Sequence, residues 1–238
     1  MMWKTYHTKD LTEKYLFKFL PKKFLFDFIE TKNIWFSRAD QFGDKMECVR
    51  ISDLLQEKPD YKEIERRKLK YLISCWHVAN TESLAFWDTY SYNSKDRRTV
   101  AIRFKRHKLT ELMREWVFIN DRFHIETTRV YGKVEYKNLV NTNNSRLNNS
   151  KVKYPALRKE SAFEYENEFR FVIQLPRPYS GNGFGFHLRD ICPNDYDIII
   201  NPLLNKNEFT ETKLELKQKG IENIQESVLT KWLNPEEW

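Results

Sequence analysis

Glycine is what this chain lacks: six stand in 238 residues, against a usual share of about 7%. They are Gly43, Gly132, Gly181, Gly183, Gly185 and Gly220, and they form neither G-x-x-x-x-G-K-[ST] nor G-x-G-x-x-G. Folds that cradle nucleotide phosphates on a glycine loop at a helix start, the P-loop and doubly wound dinucleotide folds, therefore lose their sequence support. A nucleotide site, if one is present, is of another design, and one built from strand-borne carboxylates and aromatics stays open.

The chain still has ample material for a core. Hydrophobic residues make up 40% and aromatic residues 15%, which excludes intrinsic disorder, and the length suits a single domain over 1–238, with two small domains as the alternative. Cys48, Cys75 and Cys192 are odd in number and form no C-x-x-C pair, which argues against a disulfide framework and a thiolate zinc site and fits a reducing compartment. The start lacks a basic-then-apolar leader and no apolar run approaches about 18 residues, so the expectation is a cytoplasmic protein with no membrane partner. Lys+Arg exceed Asp+Glu by 41 to 34, a net charge of +7.

Apolar spacing predicts two short helices or a kinked one over 11–29, broken at Pro21. Strands are expected at 33–37, 71–77, 98–104, 128–136, 167–175, 184–188 and 197–200, with further alternation near 116–126. Helices are expected at about 47–56, 60–70, 82–91, 107–115, 156–163 and 206–219, the last ending at Gly220. Residues 138–154 hold six asparagines and read as a flexible surface loop. No β-α-β rhythm emerges, so the fold class is α+β, with a mixed or mostly antiparallel sheet packed by short helices.

Four segments carry chemistry. In FEYENEFRF (163–171) a period of two puts Glu166, Glu168 and Arg170 on one strand face and Phe169, Phe171 and Ile173 on the other, the aromatic side facing the core. Carboxylates about 7 Å apart repel in a low-dielectric place, so the pair needs a cation or a raised proton affinity, and Arg170 supplies one charge but hardly both. This face reads either as a solvated surface or as a cleft holding a general base. In FGDKMEC (42–48), Asp44 and Glu47 stand three apart, as in a helix capping box; with Glu166 and Glu168 they would alternatively supply oxygen ligands to a divalent metal. SCWHVANTESLAFWDTY (74–90) places His77 beside Trp87 and Tyr90, while Cys75 reads as core. Residues 96–108 hold six Lys/Arg and one acid, which attracts phosphates or forms a solvated face.

The succession NIWFSRADQFGDKME, SCWH…ESLAFWDTY, VAIRF, GKVEY, RKESAFEYENEFRFVI, IIINPLL and IQESVL resembles the bacterial and phage domain-of-unknown-function family 2971 over about residues 15–229. Its most specific part is the E-x-E-x-R strand with Arg158-Lys159 upstream. Gly43, Lys45 and Phe86 stand where Asn, Pro and Met are commoner. Asp44, Glu47, Trp87, Tyr90, Lys159, Glu166, Glu168 and Arg170 match. The layout is similar to that of ADP-ribosyltransferases, which hold NAD without glycine motifs. That resemblance implies NAD as substrate, Glu168 stabilising the oxocarbenium-like centre as nicotinamide leaves, Glu166 activating the acceptor, and Ser37 supporting the glutamate. It implies His77 or Tyr90 stacked on nicotinamide, and Lys18 or His7 for the basic residue of the first strand. It also implies a toxin or phage-defence effector whose acceptor is a nucleic acid or a protein. The rival readings are a metal-dependent nuclease using Asp44, Glu47, Glu166 and Glu168, and a non-enzymatic binding module.

Overall fold

A computed structural model of the chain describes residues 3–6, 8, 11–56, 58, 60–92, 98–114, 127–139 and 154–233. The expected 116–126 strand and His7 lie outside these residues, as does nearly all of the 138–154 loop. The fold is α+β, and its sheet pairing is mixed. The chain divides into two compact units, each assembled from separated stretches of sequence.

The first unit comprises Met1–Leu11, Ile34–His77 and Val117–Phe186. It contains β1 (Lys4–Tyr6), most of β3 (Asn33–Arg38) and of β4 (Tyr71–Ala79), β6 (Thr128–Lys133) and β9 (Glu168–Gln174). β1 runs parallel to β6, while β9 lies antiparallel between β6 and β4. β9 is buried along nearly its whole length because both faces of the sheet are covered there, and Phe169, Phe171 and Ile173 are fully buried as expected. Trp3 and Tyr131 pack against Phe171 at ring-centroid distances of 5.9 and 5.7 Å. On the other face, Ile73, Val130 and Val172 form a second layer with Ala39, Cys48, Ala156 and Leu157, so the segments around 39–48 and 155–157 cover it.

The covering segments depart from expectation. Only Ile51–Leu54 (α2) is helical within the predicted 47–56, and α3 (Tyr61–Lys68) follows. The predicted helix at 156–163 is instead a 3-10 turn at Pro155–Leu157, a short strand β8 (Arg158–Glu160) and a 3-10 helix at Ser161–Glu166. β8 pairs in parallel with β7 (Glu135–Lys137), because the predicted 128–136 strand breaks at Val134. β10 (Gly183–His187) pairs with β3.

The second unit comprises Thr12–Asn33, Val78–Trp116 and His187–Trp238. Its strands run β2 (Tyr15–Pro21), β5 (Thr99–Lys105), β11 (Tyr196–Ile200) and β12 (Ile224–Gln225), antiparallel except for the parallel last pair. Here the expected helix over 11–29 is a correction: Tyr15–Pro21 is a strand, and α1 (Lys22–Thr31) begins directly after Pro21. The i, i+3, i+4 spacing misled because Leu16, Phe17, Phe19 and Leu20 are all buried, so the strand lacks the polar alternation that marks one open face. α4 (Leu84–Tyr92), α5 (Arg106–Arg114), α6 (Lys206–Gln218) and α7 (Thr230–Leu233) complete the unit. Among the described residues no helix is long and apolar enough to cross a membrane.

Two of the scarce glycines answer steric demands. A Cβ at Gly132 would stand 2.0 Å from the Tyr6 carbonyl oxygen, and one at Gly183 would stand 2.6 Å from the Phe36 carbonyl oxygen. Backbone atoms cannot swing aside as a flexible side chain does. Gly132→Ala should therefore cost about 1–3 kcal/mol by forcing β1 away from β6. Urea denaturation checks this, and a loss under about 0.5 kcal/mol would contradict the close approach.

Candidate functional site

A buried charge network forms on the β4–β9 face opposite the aromatic core. In the antiparallel register Cys75 lies opposite Arg170 and His77 opposite Glu168, which sets all four side chains on one face. Arg170 has no exposed surface. Its Nη1 and Nη2 donate to Glu47 Oε1 and Oε2 at 2.7 and 2.9 Å, and Nη1 also donates to the Ala156 carbonyl at 2.8 Å. Its Nε donates to Glu168 Oε2 at 2.8 Å, and Nη2 lies 2.6 Å from the same oxygen. Each of the five N–H groups thus has an acceptor, which a buried guanidinium requires.

Lys159 supplies the second charge that the strand arithmetic calls for. From β8 its Nζ pairs with Glu166 and lies 4.0 Å from Glu168 Oε2. The Tyr136 hydroxyl accepts from the Glu168 backbone N–H at 2.8 Å. Three carboxylates, Glu47, Glu166 and Glu168, therefore meet two cations, Lys159 and Arg170, leaving one net negative charge when all are ionised.

The predicted E-x-E face is altered in one respect. Glu166 ends the 3-10 helix and Asn167 takes a left-handed conformation at φ 42°, so β9 begins only at Glu168. Asparagine tolerates that conformation better than most residues. The two glutamates approach each other around this turn rather than along a strand. The Glu166 carbonyl is thereby free to accept from His77 Nδ1–H at 2.8 Å.

The same neighbours push the carboxylates' proton affinities apart. Burial raises that of Glu166 against the pull of Lys159, with repulsion from Glu168 adding to the rise. Burial also works to raise Glu168, but Arg170 and Lys159 outweigh it and the net shift is downward. The Cys75 thiol, read from sequence as core alone, donates to Glu168 as well. Burial lowers His77, partly opposed by its bond to the Glu166 carbonyl, so the ring is neutral at pH 7 and Nε2 is its basic nitrogen.

Glu47 reaches this network from a turn. Asp44 Oδ1 accepts from the Met46 N–H at 2.8 Å, and Cys48 sits at φ 59°. No helix starts there, so the capping-box reading of Asp44 and Glu47 is corrected. Glu47 turns inward and is 1% exposed. A divalent ion held by Glu47 and Glu168 would have to stand where the Arg170 guanidinium already bridges them, and no metal-binding group of three or more His, Cys, Asp or Glu occurs among the described residues.

The other predicted residues have settings of their own. Ser37 is in register with Ile73 of β4, four positions from His77 and therefore about 13 Å along the strand. It does not reach either glutamate. Trp87 and Tyr90 belong to the second unit. Trp87 is fully buried and its indole N–H donates to Glu82 at 3.0 Å, so it is a core residue rather than a ligand platform. Tyr90 stacks with Phe86 and Phe19. Lys18 lies in β2, opposite Ile102. Within the basic stretch, Arg103 pairs with Asp197 at 2.8 Å and Lys108 with Asp195 at 3.3 Å, which answers part of its charge internally. Tyr136 and the Ala156 carbonyl belong to the site but carry no sequence signal, since only the β7–β8 pairing and the 155–157 turn bring them there.

Comparison with protein-family models, with curated proteins and with solved structures finds no match to this chain.

Two outcomes test the network. Arg170→Met should destabilise the protein by about 3–5 kcal/mol in urea, because Glu47 and Glu168 are left buried without their shared cation. A cost below about 1 kcal/mol would show that the network does not hold the fold. His77 has a folded pKa below its ordinary 6.5, so its contribution is present above that pH and is lost as pH falls through about 6.5 and below. His77→Gln should therefore flatten the decline in melting temperature between about pH 7 and pH 5; an unchanged slope would place the titration elsewhere.

Proposed function

We propose that this chain is an NAD-consuming enzyme of the ADP-ribosyltransferase type, related to family 2971, with Glu168 as the fixed anion and Glu166 as the acceptor's base. The observation that carries the reading is the opposite displacement of two neighbouring carboxylates. Such a split is how one site keeps an ionised electrostatic group beside a group able to take a proton.

In this reaction the bond between C1′ and the nicotinamide nitrogen breaks, the electron pair leaves with nicotinamide, and the ribose carbon becomes oxocarbenium-like. A carboxylate held ionised favours that positive charge, and the single net negative charge of the cluster acts in the same sense. The acceptor nucleophile then bonds to C1′, and its proton passes to Glu166, whose raised proton affinity suits a base. Lys159 orders both carboxylates, and His77 fixes the Glu166 backbone. Arg170 and Tyr136 position Glu168 in the place the resemblance gave to Ser37. The acceptor is a nucleic acid or a protein, in a toxin or phage-defence setting, and the net charge of +7 favours a polyanion.

Glu166 is the informative position, since Glu168 also holds the fold. With the full chain, NAD should bind in calorimetry, and nicotinamide release should accompany label transfer to added RNA, DNA or protein. Glu166→Gln should reduce transfer by about 10²–10⁴-fold while moving the melting temperature little. Absence of NAD binding, or wild-type transfer by Glu166→Gln, would overturn the proposal.

A further inference from the structure

A second polar recess lies at the far end of the β4–β9 ladder. Tyr71 pairs with Gln174 there, six register positions from His77 and Glu168, or about 20 Å along the strands. The recess has a volume of about 430 Å³ and is lined by Arg50, Ser52, Tyr71, Tyr154, Arg158 and Gln174 among others, with no carboxylate in its wall. That volume is within the range of small-ligand sites, about 300–1,000 Å³.

Arg158 is the informative side chain. It is 5% exposed, and its Nε has no hydrogen-bond partner among the described residues. Burial pulls its proton affinity down, with Glu135 and Tyr71 acting the other way. Glu135 lies opposite Arg158 in the β7–β8 register and pairs with Lys137 at 3.2 Å, while Asp53 pairs with Arg67 at 2.5 Å. A desolvated guanidinium with an idle donor is costly unless an anion completes it. Arg50, also in the wall, is exposed and donates to the Tyr71 hydroxyl. Burial keeps that phenol protonated, so it retains an O–H to donate. Lys159, the next residue on β8, points the other way to the glutamates, as alternation along a strand requires.

We infer that this recess is an oxyanion site for a phosphate group, gripped by Arg158 and Arg50 with the Tyr71 hydroxyl as a third donor. Guanidinium groups match phosphate oxygens in paired N–H bonds, and hydroxyl and amide donors from Tyr71, Ser52 and Gln174 suit the remaining oxygens. This site is independent of the NAD reading above, since it shares no side chain with the glutamate cluster.

The test uses the full chain with inorganic phosphate, pyrophosphate and AMP, each compared with sodium chloride at matched ionic strength. Phosphate should raise the melting temperature saturably, and chloride should not. Arg50→Gln and Arg158→Gln should each weaken the apparent affinity by about tenfold or more, while Arg66→Gln, an exposed ion-pair variant on α3, should leave it unchanged. Arg50→Gln alone decides the matter if the buried Arg158 variant does not fold, because Arg50 is exposed. AMP binding tighter than inorganic phosphate assigns the recess to a nucleotide phosphate, and equal binding assigns it to free phosphate. An equal response to chloride, or unchanged affinity in Arg50→Gln, overturns the site.

Discussion

A guanidinium without exposed surface must find acceptors for all its N–H groups inside the protein, and the first unit is organised around that requirement at Arg170. Glu47 comes from the turn after β3, Glu168 from the start of β9 and the Ala156 carbonyl from the turn before β8. These segments are remote in sequence, and the two turns have little regular structure of their own. Their common partner fixes where each lies on the sheet. The desolvation penalty of burying such charges is large, so the arrangement holds only while every member is present.

The same network gives the site its electrostatic character. Arg170 is saturated by two carboxylates and the Ala156 carbonyl, and Lys159 is the cation shared by Glu166 and Glu168. Glu168, next to both cations, is held ionised, whereas Glu166 sits at the edge of the cluster and gains proton affinity by burial. The opposite displacement of the two carboxylates follows from position within one cluster. Arg170 bridges Glu47 and Glu168 at the centre.

Regular elements were legible where the apolar pattern was unambiguous. β3, β5, β9, β11 and α6 fall within a residue or two of where alternation, helical spacing and Gly220 place them. β2 was not, since a strand buried on both faces loses the alternation that separates it from a helix. The 155–166 stretch was misread for another reason: its 3-10 turns and three-residue strand are too short to show any period.

The α+β class, the aromatic core face of β9, the lack of support for glycine-loop nucleotide folds, and the need for a further cation or a raised proton affinity beside Glu166 and Glu168 were legible in the chain. Residue identity and spacing carry those facts. Tertiary structure alone decided that the cation is Lys159, that Glu47 closes on Arg170 instead of capping a helix, and that Trp87 belongs to the core of the other unit. It also gathered Arg50, Tyr71 and Arg158 around one recess. Such pairings join residues up to 123 positions apart, and no local period can express a contact that exists only once distant segments share one buried, low-dielectric space.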